Sequence, residues 1–117
     1  MAEYDSRQLN SVFHALGDAT RRGMLANLAL GEKSIGELAQ PFEMSFAGAS
    51  KHVKVLEEAG LIARRRSGRI HYCSLRPEPL AEANRWLKQW EHFWAVRLDR
   101  LQSLIESDKK AKENPNG

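Results

Sequence analysis

The sequence predicts a mainly helical α+β domain that ends in one β-hairpin and one long C-terminal helix, and three observations carry that expectation. Apolar residues recur at three- and four-residue steps from Leu9 to Leu56, the period of a helix with one buried face. A single stretch, Leu61 to Leu75, changes to alternation at every second residue around a Ser-Gly pair. Behind Pro77 and Pro79 the helical step returns as a stripe that runs from Leu87 to Ile105.

Leu9, Val12, Phe13 and Leu16 form one face of a first helix that Gly17 ends. Asp18 is placed to accept backbone N–H bonds at the start of a second helix, which carries Met24, Leu25 and Leu28 and stops before Gly31. Ser34 and Glu37 have the spacing of a capping box, so a short third helix buries Ile35, Leu38 and Ala39 until Pro41. Ser45 then caps a fourth helix, whose Ala49, Val53 and Leu56 face inward up to Gly60. In the hairpin, Ile70, Tyr72 and Ser74 alternate with His71, Cys73 and Leu75, and Ser67-Gly68 supplies a two-residue turn. The last helix presents Leu87, Trp90, Trp94, Leu98, Leu101 and Ile105 on one side. Asp108 to Gly117 is polar and has no apolar anchor, so residues 108–117 are expected to be a disordered tail after a single domain over 1–107. Three helices, a tight turn, a fourth helix, a hairpin and a long helix make a winged helix-turn-helix.

The chain has 117 residues, room for one domain with a thin core, and that favours assembly into a dimer. One cysteine excludes an internal disulfide and a CxxC pair, which fits a reducing, cytoplasmic setting. No signal peptide or membrane-spanning stretch is legible, nor is any catalytic constellation or glycine-rich phosphate loop; no enzyme is expected. The net charge is +3, but Ser45 to Arg76 carries seven Lys and Arg against Glu57 and Glu58, a surplus of five. Everything outside that segment is therefore net −2. Cations gathered on a helix and the adjoining hairpin match the counterion-releasing surface of a protein that binds double-stranded DNA. A solvated strand edge that resists aggregation is the plainer reading of Arg64, Arg65 and Arg66.

The exposed positions of the fourth helix are then Phe46, Ala47, Ser50, Lys51 and Lys54, with His52 on the flank. Ser50 and His52 can bond base edges or phosphates, and Ala47 can touch a thymine methyl. Phe46 either packs on sugars and thymine methyls or contacts Met44 and Phe42 at the helix start. Gly48 marks a close approach, either to the second helix or to DNA.

The run Leu38-Ala39, Met44-Ser45 and Ser50-Lys51-His52-Val53-Lys54-Val55-Leu56-Glu57-Glu58-Ala59-Gly60-Leu61 resembles the S-x-H-L-x-x-L-x-x-A-G-L signature of ArsR/SmtB-type winged-helix repressors. Upstream, Leu16-Gly17-Asp18-Ala19-Thr20-Arg21-Arg22 resembles that family's L-x-D-P-T-R segment, with Ala19 in place of proline. Arg66-Ser67-Gly68-Arg69 and Tyr72 resemble the wing, so the likeness covers roughly residues 9–106. It implies that Ser45, Ser50, His52 and the wing arginines, here Arg65, Arg66 and Arg69, contact operator DNA. It also implies a homodimer held by the first and last helices, whose apolar residues are Leu9, Val12 and Phe13 and Leu87, Trp90, Trp94, Leu98, Leu101 and Ile105.

The family often responds to a metal, and here the sequence departs from it. Glu37-Leu38-Ala39-Gln40-Pro41 offers no thiolate pair, and Glu91 and His92 are adjacent on the last helix and point in different directions. No metal or other cofactor is expected. Alternatives are a metal or redox sensor that uses Cys73, His14 or His92, and a winged-helix protein-interaction module. Trp86, Trp90, Phe93 and Trp94 crowd nine positions, either as packing at a dimer seam or as a pocket for an unknown small-molecule effector.

Overall fold

A computed structural model describes residues 6–113. The helices are α1 (Ser6–Leu16), α2 (Ala19–Leu28), α3 (Ile35–Ala39), α4 (Phe46–Glu58) and α5 (Glu78–Glu113). The strands are β1 (Lys33–Ser34), β2 (Ile62–Ser67) and β3 (Ile70–Leu75), and a 3-10 turn over Gln40–Phe42 follows α3.

Local chemistry explains the starts of α2, α3 and α4. Asp18 Oδ2 accepts the Arg21 backbone N–H at 3.0 Å. The Ser34–Glu37 capping box closes in both directions: the Glu37 N–H donates to Ser34 Oγ at 3.1 Å and the Ser34 N–H donates to Glu37 Oε1 at 2.9 Å. Ser45 Oγ accepts the Gly48 N–H at 3.0 Å to begin α4. Between α3 and α4, Glu43 takes a left-handed conformation, φ 52°, that turns the chain into the second helix of the pair.

The sheet is antiparallel in the order β1-β3-β2. β1 is a strand the sequence does not reveal, because two residues are too few to show alternation. Ser67 pairs with Ile70, so the hairpin turn is Gly68-Arg69 and not Ser67-Gly68. Gly68, at φ 63°, is the first central residue, and only Gly68 of the two has positive φ, the pattern of a type II′ turn. The shift puts Arg69 at the tip of the wing.

The chain divides into two compact units, Met1–Ala83 and Asn84–Gly117. The first holds the core: Met24, Leu28, Ile35, Leu38, Leu56 and Leu61 are buried, with Ala49, Val53 and Cys73 fully enclosed among them. Val12 belongs to this core at 1% exposure, which removes it from the expected dimer surface; Leu9 and Phe13, on the same helix, are half-buried. A helix two turns from its N-terminus offers one narrow inner stripe, and Val12 and Ala15 fill it.

The second unit continues α5, whose large apolar residues stay open. Leu87, Trp90, Phe93, Trp94, Leu98, Leu101, Leu104 and Ile105 are each at least 40% exposed. The helix runs to Glu113, past the boundary expected at residue 107, since its Lys, Ala and Glu residues favour helix without needing an apolar contact. The part of the expected tail at 114–117 lies outside the described residues.

Candidate nucleic-acid interface

The α4 surface is built as its periodicity requires. Ala49, Val53 and Leu56 lock one face into the core, which leaves Ala47, Lys51 and Lys54 exposed on the other and Ser50 and His52 half-buried at its margins. Ser45 is exposed at the helix start, and although one oxygen lone pair takes the Gly48 N–H, its hydroxyl proton remains available to a phosphate. Gly48 approaches no second helix: a Cβ there would meet only Ser45 Oγ, at 3.3 Å. The close approach lies instead at Gly23, where a Cβ would come 2.7 Å from the Phe42 ring. Phe42 therefore packs over α2, while Phe46 stands 61% exposed.

His52 is held from behind. The Arg21 guanidinium lies 3.2 Å from its Nδ1, and Asp18 Oδ2 lies 3.9 Å from the same atom. A guanidinium only donates, so where Nδ1 accepts from it the ring N–H lies on Nε2. That N–H is the group His52 offers to an external acceptor. Arg21 also donates to the carbonyls of Ala15 (2.9 Å) and His14 (3.1 Å), and Arg22 donates to that of Leu16 (2.7 Å). These carbonyls end α1, where that of His14 also takes the Gly17 N–H at 3.1 Å, so the two arginines add donors to the helix's last acceptors and oppose the negative end of its dipole. The Asp18 carboxyl is held below the ordinary aspartate range, chiefly by the Arg21 backbone N–H. The Leu16–Arg22 segment thus positions α2 and the rear of α4. Ala19 serves where the family has proline because the first residue of a helix has no intrahelical partner for its N–H.

In the wing the arginines divide. Arg64 donates to Glu57 of α4 at 3.0 Å, which ties β2 to the helix. Arg65 makes a two-point contact with Glu32, at 3.1 and 2.6 Å, and lies over the Tyr72 ring at 4.5 Å. Arg65, expected on the DNA surface, is therefore engaged in clamping β2 to the chain just before β1. Its partner Glu32 is 33 residues away, and no local pattern could have announced it. Arg66 uses Nε to reach the Gly68 carbonyl at 2.8 Å, bracing the turn and leaving its terminal nitrogens. Among the described residues, the side chains of Lys51, Lys54 and Arg69 have no hydrogen-bond or ion-pair partner.

The alternative sites fare differently. Cys73 is fully buried in mid-strand, and burial pushes its thiol pKa up, which is the opposite of what a reactive thiolate requires. That environment gives no support to the redox reading through Cys73. His14 is exposed on α1 beside a cleft of about 290 Å³ that Asn10, Ser11, Val55 and Glu58 complete, and His92 is exposed in the second unit. Among the described residues, no three His, Cys, Asp or Glu side chains converge. Along α5 the aromatic rings form a ladder, Trp86 to Trp90 at 5.8 Å, Trp90 to Phe93 at 5.9 Å and Phe93 to Trp94 at 5.8 Å.

A short helix, a left-handed turn, a second helix with an open small-residue face, and a cationic wing define a DNA-binding winged helix-turn-helix. Comparison with known proteins agrees. A family described as a helix-turn-helix domain matches residues 16–65. The chain is 34% identical over 102 residues to the HTH-type transcriptional regulator Rv2034 of Mycobacterium tuberculosis, covering 87% of this chain and 92% of that one. It is also 34% identical to the transcriptional repressor SdpR of Bacillus subtilis, over 68% of this chain and 88% of the relative. A solved ArsR family transcriptional regulator superposes with a TM-score of 0.73 at 38% identity, covering 81% of this chain and 97% of its own. The chain belongs to the ArsR family of winged helix-turn-helix transcriptional regulators, which are DNA-binding proteins and not enzymes. Among the described residues no helix is long and apolar enough to cross a membrane.

Proposed function

We propose that the chain is a cytoplasmic, homodimeric repressor that binds an imperfect inverted-repeat operator and has no metal site of its own. Its release follows either a small-molecule effector or a fall in its own concentration. The observation that carries this reading is the set of uncommitted cations, Lys51, Lys54 and Arg69, around the small-residue face of α4, with Arg66 beside them. Ser45, Phe46, Ala47, Ser50 and the Nε2–H of His52 supply the contacts to bases and phosphates between these charges. Leu87, Trp90, Trp94, Leu98, Leu101 and Ile105 meet the same stripe of a second copy, with Leu9 and Phe13 contributing from α1. The name of SdpR supports repression as the direction of control.

Two recognition helices in a dimer fall about one DNA turn, roughly 34–36 Å, apart. The test is selection of bound duplexes from a random pool, followed by footprinting of the enriched sequence. Two protected half-sites one turn apart are expected, and one isolated half-site contradicts the dimeric reading. With about six phosphate contacts per dimer, affinity falls roughly thousandfold between 50 and 200 mM salt, whereas a flat salt response contradicts the electrostatic part.

A further inference from the structure

Phe46 and Ile70 are two large apolar residues that the first unit leaves in solvent, at 61% and 48% exposure. Both line one shallow cleft of about 230 Å³, together with Arg69 and the start of α3 at Ser34 and Gly36. Neither position is an accident of a loop. Phe46 is the first residue of α4, one position before Ala47, and Ile70 is the first residue of β3, directly after the wing turn. Phe42 packs instead over Gly23, and the Phe46 ring stays 61% exposed.

We propose that Phe46 and Ile70 form an apolar jaw that reads the C5-methyl group of thymine. The inference rests on the DNA-binding reading and deepens it. Arg69 lines the cleft beside Phe46 and Ile70, and α4, which Phe46 begins, carries the exposed Lys51 and Lys54; this part of the unit therefore attracts a polyanion. An apolar patch bordered by Arg69, a cation with no partner among the described residues, is a poor fit for an apolar protein partner, which would have to desolvate that charge. On the edges of a duplex major groove the apolar group is the thymine methyl, and aromatic and aliphatic side chains discriminate it by contact. Arg69 holds the neighbouring phosphate while Phe46 and Ile70 close on the methyl, so charge positions and the jaw specifies.

The experiment compares thymine with uracil, which keeps every hydrogen-bonding group of the base and removes only the methyl. The duplex enriched from a random pool is resynthesised with single thymine-to-uracil replacements, and each is titrated with the full chain. At one or more positions in a half-site, uracil is expected to weaken binding about fourfold, the size that goes with burial of one methyl group. Phe46→Ala, checked for native circular dichroism, is expected to bind the thymine and uracil forms of that duplex alike, and Ile70→Ala to narrow the difference. Equal affinity of the unmodified protein for every replacement, with its preference for the selected sequence intact, overturns the jaw and leaves the DNA-binding reading standing. Failure to enrich or bind any duplex overturns both.

Discussion

Two apolar stripes with the same period meet opposite fates in this molecule. In α4, Ala49, Val53 and Leu56 vanish into the core of the first unit; in α5, Trp94, Leu98, Leu101 and Ile105 remain 54–61% exposed. The hydrophobic step is similar, so the difference lies in what the rest of the chain provides to cover each stripe. A stripe completed within the protomer supplies stability, and one left incomplete implies a second surface. The wing repeats the lesson with charge. Arg64 and Arg65 find carboxylates in their own chain, whereas Arg69 at the turn finds none among the described residues.

Substitution breaks the comparison most strongly at its buried end. Leu56→Ala leaves a cavity in the core and is expected to cost about 2–5 kcal/mol in denaturant unfolding. An unchanged midpoint would remove Leu56 from the set that holds the unit together. Trp94→Glu, on the exposed stripe, is expected to leave the helical content of the first unit intact while raising the dimer dissociation constant about a hundredfold or more, since each copy would bury an unpaired charge at the seam. Equal dimer affinity in equilibrium sedimentation would take Trp94 out of that seam.

The charged pair of outcomes is smaller. Arg69→Ala is expected to weaken every DNA sequence and lower the salt slope by roughly one per site. Arg65→Ala should leave that slope unchanged, because its charge is already met by Glu32. Identical slopes for the two variants would erase the distinction between committed and free arginines. Smallest is the acid limb of stability. Asp18 has a lowered pKa in the folded chain, so its stabilisation is fully present above the ordinary aspartate value and is lost as pH falls through the lowered one. Asp18→Asn keeps a capping oxygen but should flatten this acid-side loss in thermal melts taken across that range.

Most of the architecture was legible because it rests on local chemistry. Asp18, Ser34 and Ser45 cap the helices their spacing announces, and the α4 core face follows from a 3.6-residue period. What escaped depends on contacts distant in sequence or on single-residue register. β1 exists because Lys33 and Ser34 meet Cys73 and Tyr72, and the turn sits at Gly68-Arg69 because pairing outvotes the Ser-Gly signal. Val12 could be placed on an apolar face but not assigned to the inner or outer side of it. The site was legible as a set of exposed positions; which arginines are free was not, because Glu32 and Glu57 decide it. The place of His52 on the flank of α4 follows from the helical period, while its backing by Arg21 and Asp18 depends on residues 31 or more positions away.

If the exposed stripe of α5 pairs two copies, light scattering of the full chain across a dilution series reads it as mass. A mass about twice the 13.3 kDa of one chain, falling toward that value only in Trp94→Glu at the same concentration, is the predicted result. A monomer of 13.3 kDa at every concentration, with the fold intact, would show that the α5 stripe does not pair two copies.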